Sequence, residues 1–157
     1  MDLTATQIKP IEGLRAYMPN QPQLHNVIFT SSTATDVTSA GQVVALDTSS
    51  TDVNVPVVKA CPANGVPFGV VVYDAVKEHA KVGEKIAIAQ TGDIIFMVAG
   101  GAVAVDGKLQ FNASTRKVDD STTVGNAFIG IALTPASADG DLIQVKLDLG
   151  LGVQAGE

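Results

Sequence analysis

Tryptophan is absent from this 157-residue chain, aromatic residues make up only 4% of it, and Cys61 is its one cysteine. A core so short of rings has to be built from Val, Ile, Leu and Ala, whose small and β-branched side chains suit thin pleated layers. One thiol excludes an intrachain disulfide and any CxxC pair. Flanked by Ala60 and Pro62, Cys61 reads as a small buried or half-buried side chain. No apolar run approaches 18 residues, so no membrane-spanning helix is expected. The opening MDLTATQIKP has no basic region leading into an apolar run, so no signal peptide is expected. Basic stretches are missing as well. Ten Lys and Arg stand against sixteen Asp and Glu, giving a net charge of −6 and a pI near 4.7. Such a chain repels phosphate, which argues against nucleic acid and against anionic membrane surfaces as partners.

Convergent reactive groups are also scarce. The only histidines are His25 and His79, and neither sits in an HExxH or comparable metal spacing. The acidic pairs Asp119-Asp120 and Asp139-Gly140-Asp141 fall where turns are expected, because Asp bonds nearby backbone and Gly accepts positive φ. No EF-hand, P-loop or dinucleotide fingerprint is present. Lys85 and Lys108 lie near turns but lack the context of a lipoyl or biotinyl carrier domain. Asn112-Ala113-Ser114 matches a glycosylation sequon and reads as chance without a secretion signal. The expectation is a non-enzymatic protein with no catalytic residues, no cofactor and no metal.

What the chain does have is apolar content, 46% against 17% charged, enough for a real core. Residues 1–25 stand apart. Pro10, Pro19 and Pro22 break regular ladders, while Leu3, Ile8, Ile11, Leu14, Tyr17 and Met18 supply apolar anchors without a period. This reads as an extended N-terminal arm that docks either on a partner or on its own domain. Residues 26–149 form the expected β domain, and the Gly-rich 150–157 a loose tail.

Within the β domain, strands are expected over Asn26–Thr30, Gly41–Leu46, Val53–Val58 (an edge or bulged strand, given Pro56), Phe68–Tyr73, Phe128–Leu133 and Leu142–Leu147. Phe68–Tyr73 is apolar enough for burial on both faces. Leu142–Leu147 alternates as a half-buried strand does. Two hairpins are expected: Lys85–Gln90 with Asp93–Val98 through Thr91-Gly92, and Val103–Val105 with Lys108–Phe111 through Asp106-Gly107. A short strand is expected near Arg116–Val118. Asp74–Val82 is the one stretch that reads as a short helix or helical turn, capped by Asp74 and ended by Gly83. Many short strands at close spacing imply an all-β barrel or sandwich. Two segments echo each other: Gly69-Val70-Val71-Val72 leading to Gly83–Ile88, and Gly130-Ile131-Ala132-Leu133 leading to Gly140–Val145. They mark either two related hairpins or recurrent turn chemistry.

In order, Gly41–Leu46, Pro67–Val71, Gly83–Ile88 with Thr91–Ile94, Ala99–Val103 with Asp106–Leu109, Phe128–Leu133 and Gly140–Val145 resemble the cement or head-decoration proteins of tailed phages. The resemblance covers Gly41 to Leu149. It implies a small β-barrel or β-tulip-like domain, usually a homotrimer, seated on the outer surface of the virion capsid. There such proteins clamp neighbouring major capsid protein subunits against internal DNA pressure. It also implies an extended N-terminal segment that helps attach to the shell, for which Leu3, Ile8, Pro10, Ile11, Leu14, Tyr17 and Met18 are the candidate capsid-binding residues. The alternative is a head-fibre or tail-associated module that binds a receptor or glycan. The scarcity of aromatics for sugar stacking weighs against it.

Overall fold

The computed structural model describes residues 11–13, 24–31, 33, 36–74, 76–77, 79–120 and 122–150. Twelve strands and no helix occur among them. Five strands form a closed barrel in the order β1 (Leu24–Phe29), β4 (Val57–Ala60), β3 (Val43–Leu46), β5 (Gly69–Val71) and β7 (Lys85–Ala89), with β7 returning to β1. The β1–β4 pair is parallel and the other four pairs are antiparallel. A second sheet runs β10 (Lys117–Asp120), β9 (Lys108–Asn112), β11 (Phe128–Ala132), β12 (Leu142–Leu147), β8 (Ile94–Val98). It curls until its outer strands nearly meet: Ala99, just past β8, bridges Val118 in β10, and the Gly100 N–H donates to the Val118 carbonyl at 2.9 Å. A short ribbon pairs β2 (Val37–Ser39) with β6 (His79–Lys81).

Two apolar cores explain this layout. Val27, Phe29, Val44, Val58, Val71, Ile86 and Ile88 share a cluster with Ala80. The larger cluster joins Ile95, Met97, Leu109, Val118, Ile129, Ile143, Val145 and Leu147 of the second sheet to Val43, Ala45, Val70 and Ala89 of the barrel. Neighbouring residues along β3 and β5 therefore enter different cores, Val44 and Val71 one, Val43, Ala45 and Val70 the other. Strands buried on both faces read as unbroken apolar runs, which is why Gly69–Val71 shows no alternation. In β12 only one face is buried, and Ile143, Val145 and Leu147 alternate with more accessible neighbours.

Several expectations from the sequence are corrected. Asp74–Val82 is not helical at any described residue. The Asp74 carboxylate accepts the Val76 N–H at 2.8 Å in a turn, and His79–Lys81 pairs with β2 and buries Ala80. Strand pairing outweighs the modest helix propensity of so short a stretch. The two hairpins are not formed. β7 pairs with β1 and β5 while β8 pairs with β12, so the turn at Thr91-Gly92 carries the chain from the barrel to the second sheet. Val103 bridges Ala136, and the Asp106-Gly107 turn docks on the end of β11, where Asp106 N–H donates to Ala132 O and Ala132 N–H to Gly107 O. The strand expected over Val53–Val58 begins at Val57 and lies between β1 and β3, not at an edge. Pro56 precedes it, where its missing donor costs nothing, and its carbonyl accepts the Ile28 N–H at 3.0 Å.

The internal echo is a spatial one. β5 pairs antiparallel with β7 in the barrel, and β11 pairs antiparallel with β12 in the second sheet. Gly69 and Gly130 lead these pairs, and each sits where a Cβ would strike the neighbouring strand.

Candidate functional site

Of the polar groups that sequence reading weighed for chemistry, Asp141 and Asn112 are occupied in holding turns. Asp141 accepts the backbone N–H groups of Ser137 (2.8 Å) and Ala138 (2.9 Å) and the Ser137 hydroxyl (3.1 Å). These bonds, the backbone ones foremost, hold its carboxyl below the usual carboxylate range. Asp139 pairs with Lys117 at 2.6 Å. Asp119 and Asp120 lie in β10 and not in a turn, and Asp119 accepts the Asn112 side-chain amide at 3.2 Å. The Asn112 side-chain oxygen takes Ser114 N–H (3.1 Å), Ser114 hydroxyl (2.7 Å) and Thr115 N–H (3.3 Å), so the sequon-like triplet is the turn of the β9–β10 hairpin. His79 is exposed on β6, and His25 falls in β1. Burial pushes the Cys61 thiol up to about 11. Among the described residues no group of three or more His, Cys, Asp or Glu is placed to hold a metal ion.

The distinctive feature is where residues 11–13 meet the two sheets. Leu3, Ile8, Pro10, Leu14, Tyr17 and Met18 lie outside the described residues; Ile11 is within them and exposed. Beside it, Gly13 donates its N–H to the Phe96 carbonyl of β8 at 2.7 Å and accepts the Tyr73 N–H at 2.9 Å. Tyr73 follows barrel strand β5, so a single arm residue spans the seam between the two sheets. The fit needs two glycines. Gly13 is buried at φ +72°, and a Cβ there would lie 2.6 Å from the Ala40 Cβ and 2.7 Å from the Gly41 nitrogen. Gly41, at φ +80°, leaves the room that the Glu12 side chain fills: a Cβ there would lie 2.3 Å from Glu12 Cγ. Both conformations favour glycine on steric grounds. The Glu12 carboxyl is pushed up by burial and pulled partly back by the Lys117 ammonium. Glu12, Ser39, Gln42, Val98, Arg116 and Lys117 line the cleft at this seam. Sequence reading named the apolar arm residues and passed over Glu12-Gly13. The available signal was a glycine in an otherwise glycine-free arm.

Elsewhere the surface offers loop valines. The β3–β4 loop is stiffened by its own side chains: the Asp47 carboxylate accepts Ser49 N–H and hydroxyl, and the Asp52 carboxylate accepts Asn54 and Val55 N–H. Inside the second of these turns Val53 is 92% exposed.

The profile of the phage cement protein family matches residues 21–147, most of the chain. This chain therefore belongs to the phage cement protein family, and it is a structural, virion-associated protein. Among solved structures, the head fiber gp8.5 N base of bacteriophage phi29 shares the fold, with a TM-score of 0.56 and 13% identity over 87% of this chain and 100% of that one. A search of curated proteins gives no match.

Proposed function

We propose that this protein decorates the outer surface of the mature head as a homotrimer and stabilises it by clamping neighbouring major capsid protein subunits. The role is non-enzymatic and needs no cofactor. The N-terminal arm, with Leu3, Ile8, Pro10, Ile11, Leu14, Tyr17 and Met18, is the attachment element. One observation carries the reading: the family profile spans the two-sheet body from residue 21, and an arm with apolar side chains leads into it. An extended arm adds to a sheet edge through backbone bonds, and its apolar side chains set the register. Three arms on one trimer gain by effective concentration, so each binds weakly alone.

The likeness of fold to a head-fibre base supports a second reading, a head-fibre or tail-associated module that binds a receptor or glycan. Co-sedimentation with mature heads lacking the protein, followed by heating of the decorated heads, separates the two. Saturable binding that raises the temperature of head disruption supports the clamp. Binding without stabilisation favours the fibre-base reading, and no binding to mature or immature heads sinks the cement role. A chain starting at Gln23, just before β1, tests the arm: loss of binding assigns attachment to it, and retained binding moves attachment to the body.

A further inference from the structure

We propose that the cleft at the seam between the two sheets binds a primary carboxamide, the head of an Asn or Gln side chain on a partner protein. The proposal adds a site on the two-sheet body to the attachment described above. It rests on that reading only for the partner's identity, the major capsid protein.

Two polar groups share the cleft without partners of their own. Gln42 is 5% exposed, and its side-chain oxygen accepts the hydroxyl of fully buried Thr38 at 2.8 Å. Its amide nitrogen has no hydrogen-bond partner among the described residues, although Gln42 lines the cleft. A buried donor left unpaired is costly, so the group calls for an acceptor from outside. Glu12 lines the same cleft, fixed there by the Gly13 anchor with its bonds to Phe96 and Tyr73. Its carboxyl accepts no hydrogen bond from a described residue; burial pushes it up and the Lys117 ammonium pulls it partly back. The cleft has a volume of about 130 Å³, far above the roughly 10–15 Å³ that admits one water.

An unpaired donor and an unpaired acceptor in one cleft select a ligand that carries both. A carboxylate would satisfy Gln42 and be repelled by Glu12, whereas an ammonium would satisfy Glu12 and leave Gln42 unpaired. The charges of the lining also favour a neutral group. Lys117 is paired with Asp139 at 2.6 Å, which leaves Arg116 to balance Glu12. Arg116 has no ion-pair partner among the described residues. It is held at φ +58°, strain of a kind that clusters at binding sites. A primary carboxamide has one oxygen to accept from the Gln42 amide and two N–H groups, one for the Glu12 carboxyl and one for the Ser39 or Thr115 hydroxyl, which also line the cleft. A sugar offers hydroxyls of the same two-way kind, but no aromatic ring lines the cleft to stack on its face.

The side-chain amide resonances of Gln42 in the full-length protein report occupancy directly. They are followed by NMR as acetamide, acetate, methylammonium or glucose is added. Acetamide is expected to shift them saturably and to bind at least about tenfold more tightly than the other three. Tighter binding of acetate or methylammonium overturns the neutral ligand. Tighter binding of glucose overturns the protein partner in favour of a glycan, and no saturable shift from any probe overturns the site, leaving the cleft to water. Glu12→Met keeps the length of the side chain over Gly41 and removes its acceptor. This variant is expected to bind acetamide, and mature heads in co-sedimentation, at least about tenfold more weakly, with the Tyr73 amide still protected from hydrogen exchange. If that protection is lost, the titration of the parent protein decides the site by itself. Head binding equal to the parent's overturns the assignment to the capsid protein. If the parent protein binds acetamide and no heads, the cement reading falls and the carboxamide site stands.

Discussion

Gly130 in β11 lies directly beneath the Lys146 carbonyl of β12: an ideal Cβ on the glycine would sit 2.2 Å from that oxygen and 3.1 Å from the Leu147 Cα. The contact is backbone against backbone in the middle of the second sheet, so no side-chain rotation relieves it. The ladder between β9 and β11 also shifts register between Phe128 and Gly130, which marks the glycine as the point of close approach. Gly130→Ala is therefore expected to destabilise the protein by about 3 kcal/mol through overpacking. Gly101→Ala, with open space around its Cα and no positive φ, is expected to stay within about 0.5 kcal/mol of the parent. Urea unfolding of the two variants measures both. Similar midpoints would mean that the strand spacing at Gly130 is looser than described.

The strands were more legible in the sequence than their partners. Leu142–Leu147 alternates cleanly and forms β12 over those residues. Gly69–Val71 reads as buried on both faces because it is, with Val70 and Val71 entering different cores. Partner choice is not local, and there the reading failed. The turn after β7 is real: Asp93 N–H donates to Gln90 O at 3.0 Å, and the Asp93 carboxylate takes the Gln90 N–H. Yet the same turn chemistry serves a hairpin or a crossing between sheets, and only the non-local demand of β12 for β8 selects the crossing. Asp106-Gly107 failed for the same reason, since its amide and carbonyl groups pair with Ala132, a residue far along the chain.

The anchor site was legible only in part. Apolar spacing drew attention to Leu3, Ile8 and their neighbours, whereas the described contact is made by Glu12 and Gly13. Backbone hydrogen bonds carry no residue signature, and a glycine in a proline-rich stretch reads as one more breaker. Gly41, which completes the seat, reads only as the start of a strand and instead occupies the turn before β3.

The charge on Glu12 makes the anchor sensitive to pH. Burial raises its carboxyl above the ordinary value, and the Lys117 ammonium offsets only part of that. A raised folded-state value means that its contribution is fully present below the unfolded carboxylate range, about 4.3, and is lost as pH rises through the folded value. Protection of the Tyr73 amide, corrected for intrinsic exchange, is expected to fall as pH rises through this window. In Glu12→Gln the dependence is expected to vanish, with protection at neutral pH above that of the parent. Protection that is flat with pH in the parent would show the carboxyl to be solvated when the arm is docked.

Asp141 acts in the opposite sense. Its carboxyl is held low by the Ser137 and Ala138 amides, so its contribution is present above the unfolded value, about 3.9, and is lost as pH falls through the lower folded value. Thermal unfolding of Asp141→Asn is expected to show a lower Tm than the parent at pH 7, with the gap narrowing steadily below about pH 4. A gap that stays constant down to pH 2 would assign the loss to packing of the Ser137–Asp141 turn and not to its charge.

Cys61 supplies a test of the seam between the cores. Its side chain is buried in the larger cluster, with the thiol pushed to about 11 by that burial. At pH 8 this leaves about one thiolate in a thousand, against roughly one in four for an unperturbed cysteine near 8.5, and the thiolate is the reactive form. Reaction with a disulfide reagent such as 5,5′-dithiobis(2-nitrobenzoate) is therefore expected to be at least about a hundredfold slower in the native protein than in urea. The rate in Gly13→Val separates global from local opening. If the arm anchor holds the two sheets together, releasing it exposes the cluster that Val43, Cys61 and Val70 share with Ile95 and Met97, and the thiol reacts faster. An unchanged slow rate in Gly13→Val would mean that the shared core alone holds the sheets, and that the anchor positions the arm without supporting the body.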